Sequence, residues 1–207
     1  MKRLEHSIKK RYLLFISTFI LIIIGILFIL QSSVNDQKGE ALLINKASEQ
    51  CMLNERMNSL VYSFESINGD TISSEIIGAF KDYVDEFENT HHYLDSVNKL
   101  EGGSKVLDSL LKITDTQSQK IVSSSRNIIN NPNKNLIAED VNSIADAELP
   151  YFLTMQSVIR EYQKSADKNL QNLLQTIYIL AFIAILILLG EFLFVLVPAL
   201  KQLFEQN

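Results

Sequence analysis

One cysteine, three prolines and seven glycines are spread through 207 residues, and each scarcity removes an option. A lone thiol, Cys51, cannot form an intramolecular disulfide, so stability has to come from packing. Few glycines and prolines leave few places to break a helix. The turn signals are Asn68-Gly69-Asp70, Gly102-Gly103 and Asn131-Pro132. Alternation of apolar and polar residues at period 2 is rare, which disfavours strands. There is no phosphate-binding glycine loop, zinc-ligand spacing or kinase motif. Ser123-Ser124-Ser125 has neither a nearby histidine nor the glycines of a nucleophile elbow. No catalytic residue is expected, no metal and no cofactor; the chain does not read as an enzyme.

What is abundant lies near the two ends. Leu13–Leu30 is an uncharged apolar run of 18 residues, and Ile177–Leu200 is one of 24 with a single charge, Glu191. A spanning helix needs about 20 largely apolar residues. Both runs are therefore expected to be transmembrane helices. The first is too long for the apolar core of a cleaved signal peptide and reads as an uncleaved anchor. Residues 1–12 carry Lys2, Arg3, Lys9, Lys10 and Arg11 against Glu5, and Lys201 lies in the stub 201–207. Basic flanks stay in the cytoplasm. Both termini are then cytoplasmic, and residues 31–176 are extracytoplasmic. That segment holds 21 acids and 13 bases, net −8, which does not oppose translocation and argues against nucleic acid as a partner.

The turn signals divide the exported segment into four helix-length pieces, at about 33–67, 72–100, 104–130 and 136–176. The first carries a heptad seam, Leu53, Met57, Leu60, Phe64 and Ile67, which extends back through Gln50, Lys46 and Leu43. A second stripe runs Ile44, Ala47, Cys51, Asn54, Asn58 and Val61. Two adjacent stripes allow a helix to pack within its own bundle and on a partner chain. The second piece repeats the spacing at Ile77, Phe80, Val84, Phe87, His91 and Leu94. Pro150 marks a helix start or a kink, with 136–148 as a short separate helix. The expected fold is all-α: an antiparallel four-helix bundle ectodomain on two transmembrane helices.

Residues 44–57, INKASEQCMLNERM, resemble the signature helix of the type IV pilus methyl-accepting chemotaxis transducer N-terminal domain, also found in nitrate/nitrite sensor ectodomains. The matching residues are Ile44, Asn45, Ala47, Gln50, Met52, Leu53, Arg56 and Met57; Ser48 departs from the usual glycine. MQSVIREYQKSADKNLQNL within 151–174 is similar to the last ectodomain helix of that family, and GEFLFVLVPALKQL to its second membrane helix. Residues 70–150 carry no matching motif. The resemblance implies a dimeric sensor in a bacterial inner membrane, with cytoplasmic signalling modules after the second span. It also implies an anion site between subunits. Lys46 and Arg56 match basic residues of the nitrate-sensor version, but Cys51 stands where its anion-gripping arginine would be. Without that planar guanidinium fork, nitrate is not favoured as the ligand.

The candidate ligand-binding residues are Asn45, Lys46, Gln50 and Arg56. The plainer reading makes Lys46 and Gln50 polar seam residues that fix register. Cys51 is a small buried residue or a dimer-interface thiol. His91 and His92 are about 100° apart on a helix and cannot easily share an ion; His91 falls on the seam, and His92 faces solvent. Glu191 is costly inside a bilayer and reads as a helix-contact residue rather than a relay. The sequence as a whole reads as the input module of a transmembrane receptor of chemotaxis-transducer or sensor-kinase type, likened to a receptor without its output half. Its expected partners are the membrane, a second copy, a small anionic ligand and a cytoplasmic signalling protein. The alternative is a free-standing two-span protein that binds and modulates a membrane complex.

Overall fold

The computed structural model describes residues 2–66, 70–101, 104–193 and 197–198. The turns expected at Asn68-Gly69 and Gly102-Gly103, the seam residue Ile67 and the stub 201–207 lie outside these. The described chain is all-helical, with no strand: α1 (Lys2–Ser66), α2 (Ser74–Glu101), α3 (Lys105–Asn130) and α4 (Ala138–Glu191). It divides into two compact units, Gly39–Ala166 and a second made of Met1–Lys38 with Asp167–Asn207. The first unit is shorter at both ends than the segment 31–176 expected from the sequence.

In the unit Gly39–Ala166, the four helices contribute to one apolar core. On α1 both stripes turn inward: Leu43, Ala47, Cys51, Leu53, Met57, Val61 and Phe64 are buried. The second stripe is thus used within the chain, where a partner copy had been considered. On α2 the buried apolar residues are Phe80, Val84, Phe87 and Leu94, at heptad spacing. Tyr151, Met155, Val158 and Tyr162 form the corresponding row on α4. Phe64 meets Phe80 edge to face, with ring centroids 5.4 Å apart.

The helix ends have local causes. Ser104 caps α3, its hydroxyl accepting from the Leu107 N–H at 3.1 Å. Asn131 ends α3, and Pro132 cannot extend it. The stretches after α1 and after α3 pair with each other. The Ile72 N–H donates to Pro132 O (3.0 Å), and the Lys134 N–H donates to Asp70 O (2.8 Å). A bridge between Thr71 and Asn133 lies between these bonds.

Residues 136–148 do not form a separate helix. α4 begins at Ala138 and continues through Pro150. Pro150 is exposed. Its missing N–H removes one bond to the previous turn, and its ring lies on the outer face, where no neighbouring helix is displaced. The Thr154 hydroxyl donates to the Pro150 carbonyl at 2.8 Å.

The second unit has the opposite character. It contains two helical stretches long and apolar enough to cross a membrane, and none of the most apolar 18-residue stretch of either is buried. Phe28 is 77% exposed and Tyr178 is 72% exposed. Each stretch has one half-buried stripe at helical spacing. On α1 it is Phe15, Thr18, Ile22, Ile26 and Ile29; on α4 it is Ile177, Leu180, Ala184, Leu188 and Glu191.

Candidate functional site

The four sequence candidates do not converge. Asn45 and Arg56 are eleven residues apart, close to three full turns, so they share the outward face of α1. Both are exposed. The Arg56 guanidinium lies 5.7 Å from the ring centroid of Tyr83 on α2, a cation–π contact. Lys46 and Gln50 are turned roughly 100–140° from that face. Lys46 is half-buried and donates to Glu49 Oε2 at 2.6 Å, which neutralises it. Gln50 is fully buried. Helical geometry alone separates the set, and the single pocket expected from Asn45, Lys46, Gln50 and Arg56 is not formed within one chain.

Gln50 is instead the centre of a buried hydrogen-bond network. Its Oε1 accepts from the Tyr151 hydroxyl at 2.6 Å, and its Nε2 donates to the Phe87 carbonyl at 2.8 Å. One side chain of α1 thereby ties α2 to α4. Tyr151 is fully enclosed; burial pushes its hydroxyl pKa well above the usual phenol value. It therefore stays a proton donor. One turn along α1, Asn54 Nδ2 donates to the Glu148 carbonyl at 3.3 Å. The ring of Tyr151 packs against Phe87, with centroids 5.1 Å apart, and against His91 at 6.4 Å. A fully bonded polar group in an apolar core fixes register, because every shift leaves a partner unmet.

Cys51 is buried within a single copy, 6% exposed, and Gln156 Nε2 lies 3.9 Å from its Sγ. Of its two readings Cys51 takes the small buried one: within a single copy its sulfur is turned to Gln156 of α4 and is not exposed. Burial, then the nearby Glu55 charge, pushes its pKa up to about 11. The reactive thiolate is scarce under these conditions.

His91 is buried and His92 is exposed, as the heptad position of each predicts. Burial lowers the His91 pKa, and Asp115 opposes that shift. Arg126 on α3 bridges two acids of α2, Asp85 at 2.5 Å and Glu88 at 2.7 Å. Among the described residues, no group of three His, Cys, Asp or Glu is placed to hold a metal ion. In the other unit, Glu191 lies on the half-buried stripe of its helix. Its Oε2 is enclosed without a hydrogen-bond partner, and a π-helical turn follows at Phe192-Leu193.

Tyr151 and Asp115 were not singled out by sequence reasoning. Tyr151 could have been: it stands 4, 7 and 11 residues before Met155, Val158 and Tyr162 on the buried row. Asp115 carries no such signal, since its importance depends on which residue of α2 it faces. No family model matches the chain, and no curated protein and no solved structure does.

Proposed function

We propose that this chain is the sensory input module of a bacterial transmembrane receptor. In this reading Gly39–Ala166 is the core of an antiparallel four-helix bundle outside the inner membrane. The apolar stretches of α1 and α4 are its two spans, and both termini are cytoplasmic. The resemblance of residues 44–57 to the chemotaxis-transducer and nitrate-sensor ectodomains supports the same reading, together with a dimeric state. Nitrate is not the proposed ligand, because Cys51 holds the place of the gripping arginine.

The observation that carries the proposal is a shared division of labour on two helices. α1 and α4 each supply a buried bundle face and an unburied apolar stretch of membrane length. Gln50 and Tyr151 join these same two helices by a hydrogen bond. A signal that disturbs this network changes the relation of α1 to α4. Displacements of about 1–2 Å between packed helices are sufficient for switching. The shift in population is limited by the differential affinity of the signal for the two states.

The test is an in-frame fusion of residues 1–207 to a cytoplasmic kinase reporter. Tyr151→Phe is expected to change basal reporter output with the protein still folded and in the membrane. Output unchanged by this and by Gln50→Leu would overturn the receptor reading.

A further inference from the structure

α1 carries a third stripe, opposite the two that its own bundle buries. Asn45, Met52 and Ser59 lie seven residues apart, and Ala41, Ser48, Glu55 and Tyr62 fall between them at the same period. The spacing along the stripe is therefore 4, 3, 4, 3, 4, 3, and every one of these residues is exposed. A repeat of this kind is the seam of a two-stranded coil, because it stays on one side of a slightly under-wound helix. At about 1.5 Å per residue, 41–62 offers a seam about 30 Å long.

The stripe does not have the chemistry of a solvated face. Glu55 is its one charged residue. The outward stripe of α2 at the same spacing holds three acids, Glu75, Asp82 and Glu86, all exposed. Met52 and Tyr62 are exposed apolar residues, and so are Leu149 and Leu153 of α4. Asn54 bonds the Glu148 carbonyl, and Gln156 approaches Cys51. These contacts set α4 antiparallel beside this stretch of α1. Leu149 and Leu153 then lie level with Glu55 and Met52 on the same outer side.

The pattern selects a second copy as the occupant. With Asn45, Met52 and Ser59 as one set of core positions, Asn45 takes the place where an asparagine pairs with its own counterpart and fixes a parallel, two-stranded register. Glu55 meets its counterpart across the two-fold. Arg56, the next residue, flanks that layer and brings the opposite charge to the partner's Glu55.

We propose that the outer stripe of α1, from Ala41 to Tyr62, packs in parallel on the same stripe of a second copy, flanked by Leu149 and Leu153. Asn45 and Arg56, which share no pocket with Lys46 and Gln50 in one chain, then enter one interface from two chains. The receptor reading supplies one thing to this contact: two copies in one membrane run parallel.

The test is oxidative cross-linking of the full chain in membranes, in a Cys51→Ala background whose fold is checked by circular dichroism. A disulfide needs Cα atoms within about 7 Å. Asn45→Cys, Met52→Cys and Ser59→Cys are each expected to give covalent dimers, and Glu86→Cys on the outer face of α2 is not. All four positions are exposed, so the substitutions leave the core intact. Adding Met52→Asp is expected to lower the Ser59→Cys dimer yield at least fivefold. No dimer at any seam position, equal yields at Ser59→Cys and Glu86→Cys, or a yield indifferent to Met52→Asp would each overturn the contact. A kinase fusion that responds to Tyr151→Phe without seam cross-links would sink the contact and leave the receptor reading. Seam cross-links in a fusion that ignores both Tyr151→Phe and Gln50→Leu would do the reverse.

Discussion

Gly39–Ala166 and the apolar stretches of the other unit are built from the same helical repeat, used in opposite senses. In the first, every three or four residues an apolar side chain turns inward, and the exposed face is mostly polar, with scattered apolar residues such as Leu136 and Leu149. In the second, apolar residues such as Leu13, Phe28 and Tyr178 are exposed, and an ionisable one, Glu191, lies on the half-buried stripe. A water-facing helix gains free energy by hiding its apolar stripe. In hydrocarbon that gain vanishes, and small or polar residues become the useful contacts between helices. The contrast is what the proposed membrane reading would produce, with two solvents acting on the same two helices, α1 and α4.

The sharpest way to break the comparison is to empty the water-facing core. Phe87 is fully buried between Gln50, Tyr151 and its own helix. Phe87→Ala is expected to destabilise the bundle by about 3–5 kcal/mol. Chemical denaturation of the full chain in detergent, followed by circular dichroism, measures this. A loss below about 1 kcal/mol would mean that the core collapses around the gap, or that Phe87 is not central to it. The matching change on the other side is Leu21→Asp. Leu21 is 68% exposed, and an exposed leucine in water would tolerate aspartate with little effect. In a bilayer the same change costs insertion about 3–4 kcal/mol. Reduced membrane integration in a glycosylation-reporter assay is therefore expected. Wild-type integration would remove the membrane assignment and with it the contrast.

A smaller effect separates polar from apolar burial inside the bundle. Tyr151→Phe removes one hydroxyl and leaves Gln50 Oε1 buried without its partner. The expected cost is about 1–3 kcal/mol. Gln50→Leu combined with Tyr151→Phe should cost less than the two single changes added together, because an unmet acceptor is then removed as well. Additive single effects in a double-mutant cycle would show that the 2.6 Å contact contributes no coupling.

The four helices were legible because their causes are local. The Phe80, Val84, Phe87, His91 and Leu94 spacing gives α2 its face, and Asn131-Pro132 gives α3 its end. Pro150 misled about 136–148, since α4 runs through it unbroken from Ala138, with the proline on the exposed face. The site was less legible. Lys46 and Gln50 share a seam in sequence, but one turn along α1 and about 40° of rotation decide that one is neutralised by Glu49 and the other is a core residue. Cys51 reads equally as a buried residue or an interface thiol until Gln156 of α4 is placed beside it. The Asp115–His91 approach joins residues 24 apart on different helices, and no spacing rule encodes which turn of α2 faces which turn of α3.

The least effect is expected from acid, and its sign is fixed by His91. The folded-state pKa of His91 is below its ordinary value of 6.5, mainly through burial. The unfolded chain then binds the proton more readily. The stability that comes from keeping His91 neutral is complete above pH 6.5 and is lost as pH falls below that value towards the folded pKa. The groups that bear on the ring are His92 and Asp95 from α2, Asp115 from α3 and the packed ring of Tyr151 from α4; the acids among them limit the loss by favouring the imidazolium. Glu148 acts with the opposite sign. Burial and Glu55 raise its pKa above 4.5, so its contribution is greatest below pH 4.5 and declines as pH rises through the folded value. A single pH curve mixes the two. The difference between wild type and His91→Gln isolates the histidine: denaturation midpoints should converge, or their gap shrink, as pH drops from about 7.5 to about 5. A constant gap across that range would show that His91 is as easily protonated in the folded chain as in water, and that its surroundings are wet enough to hydrate the charge.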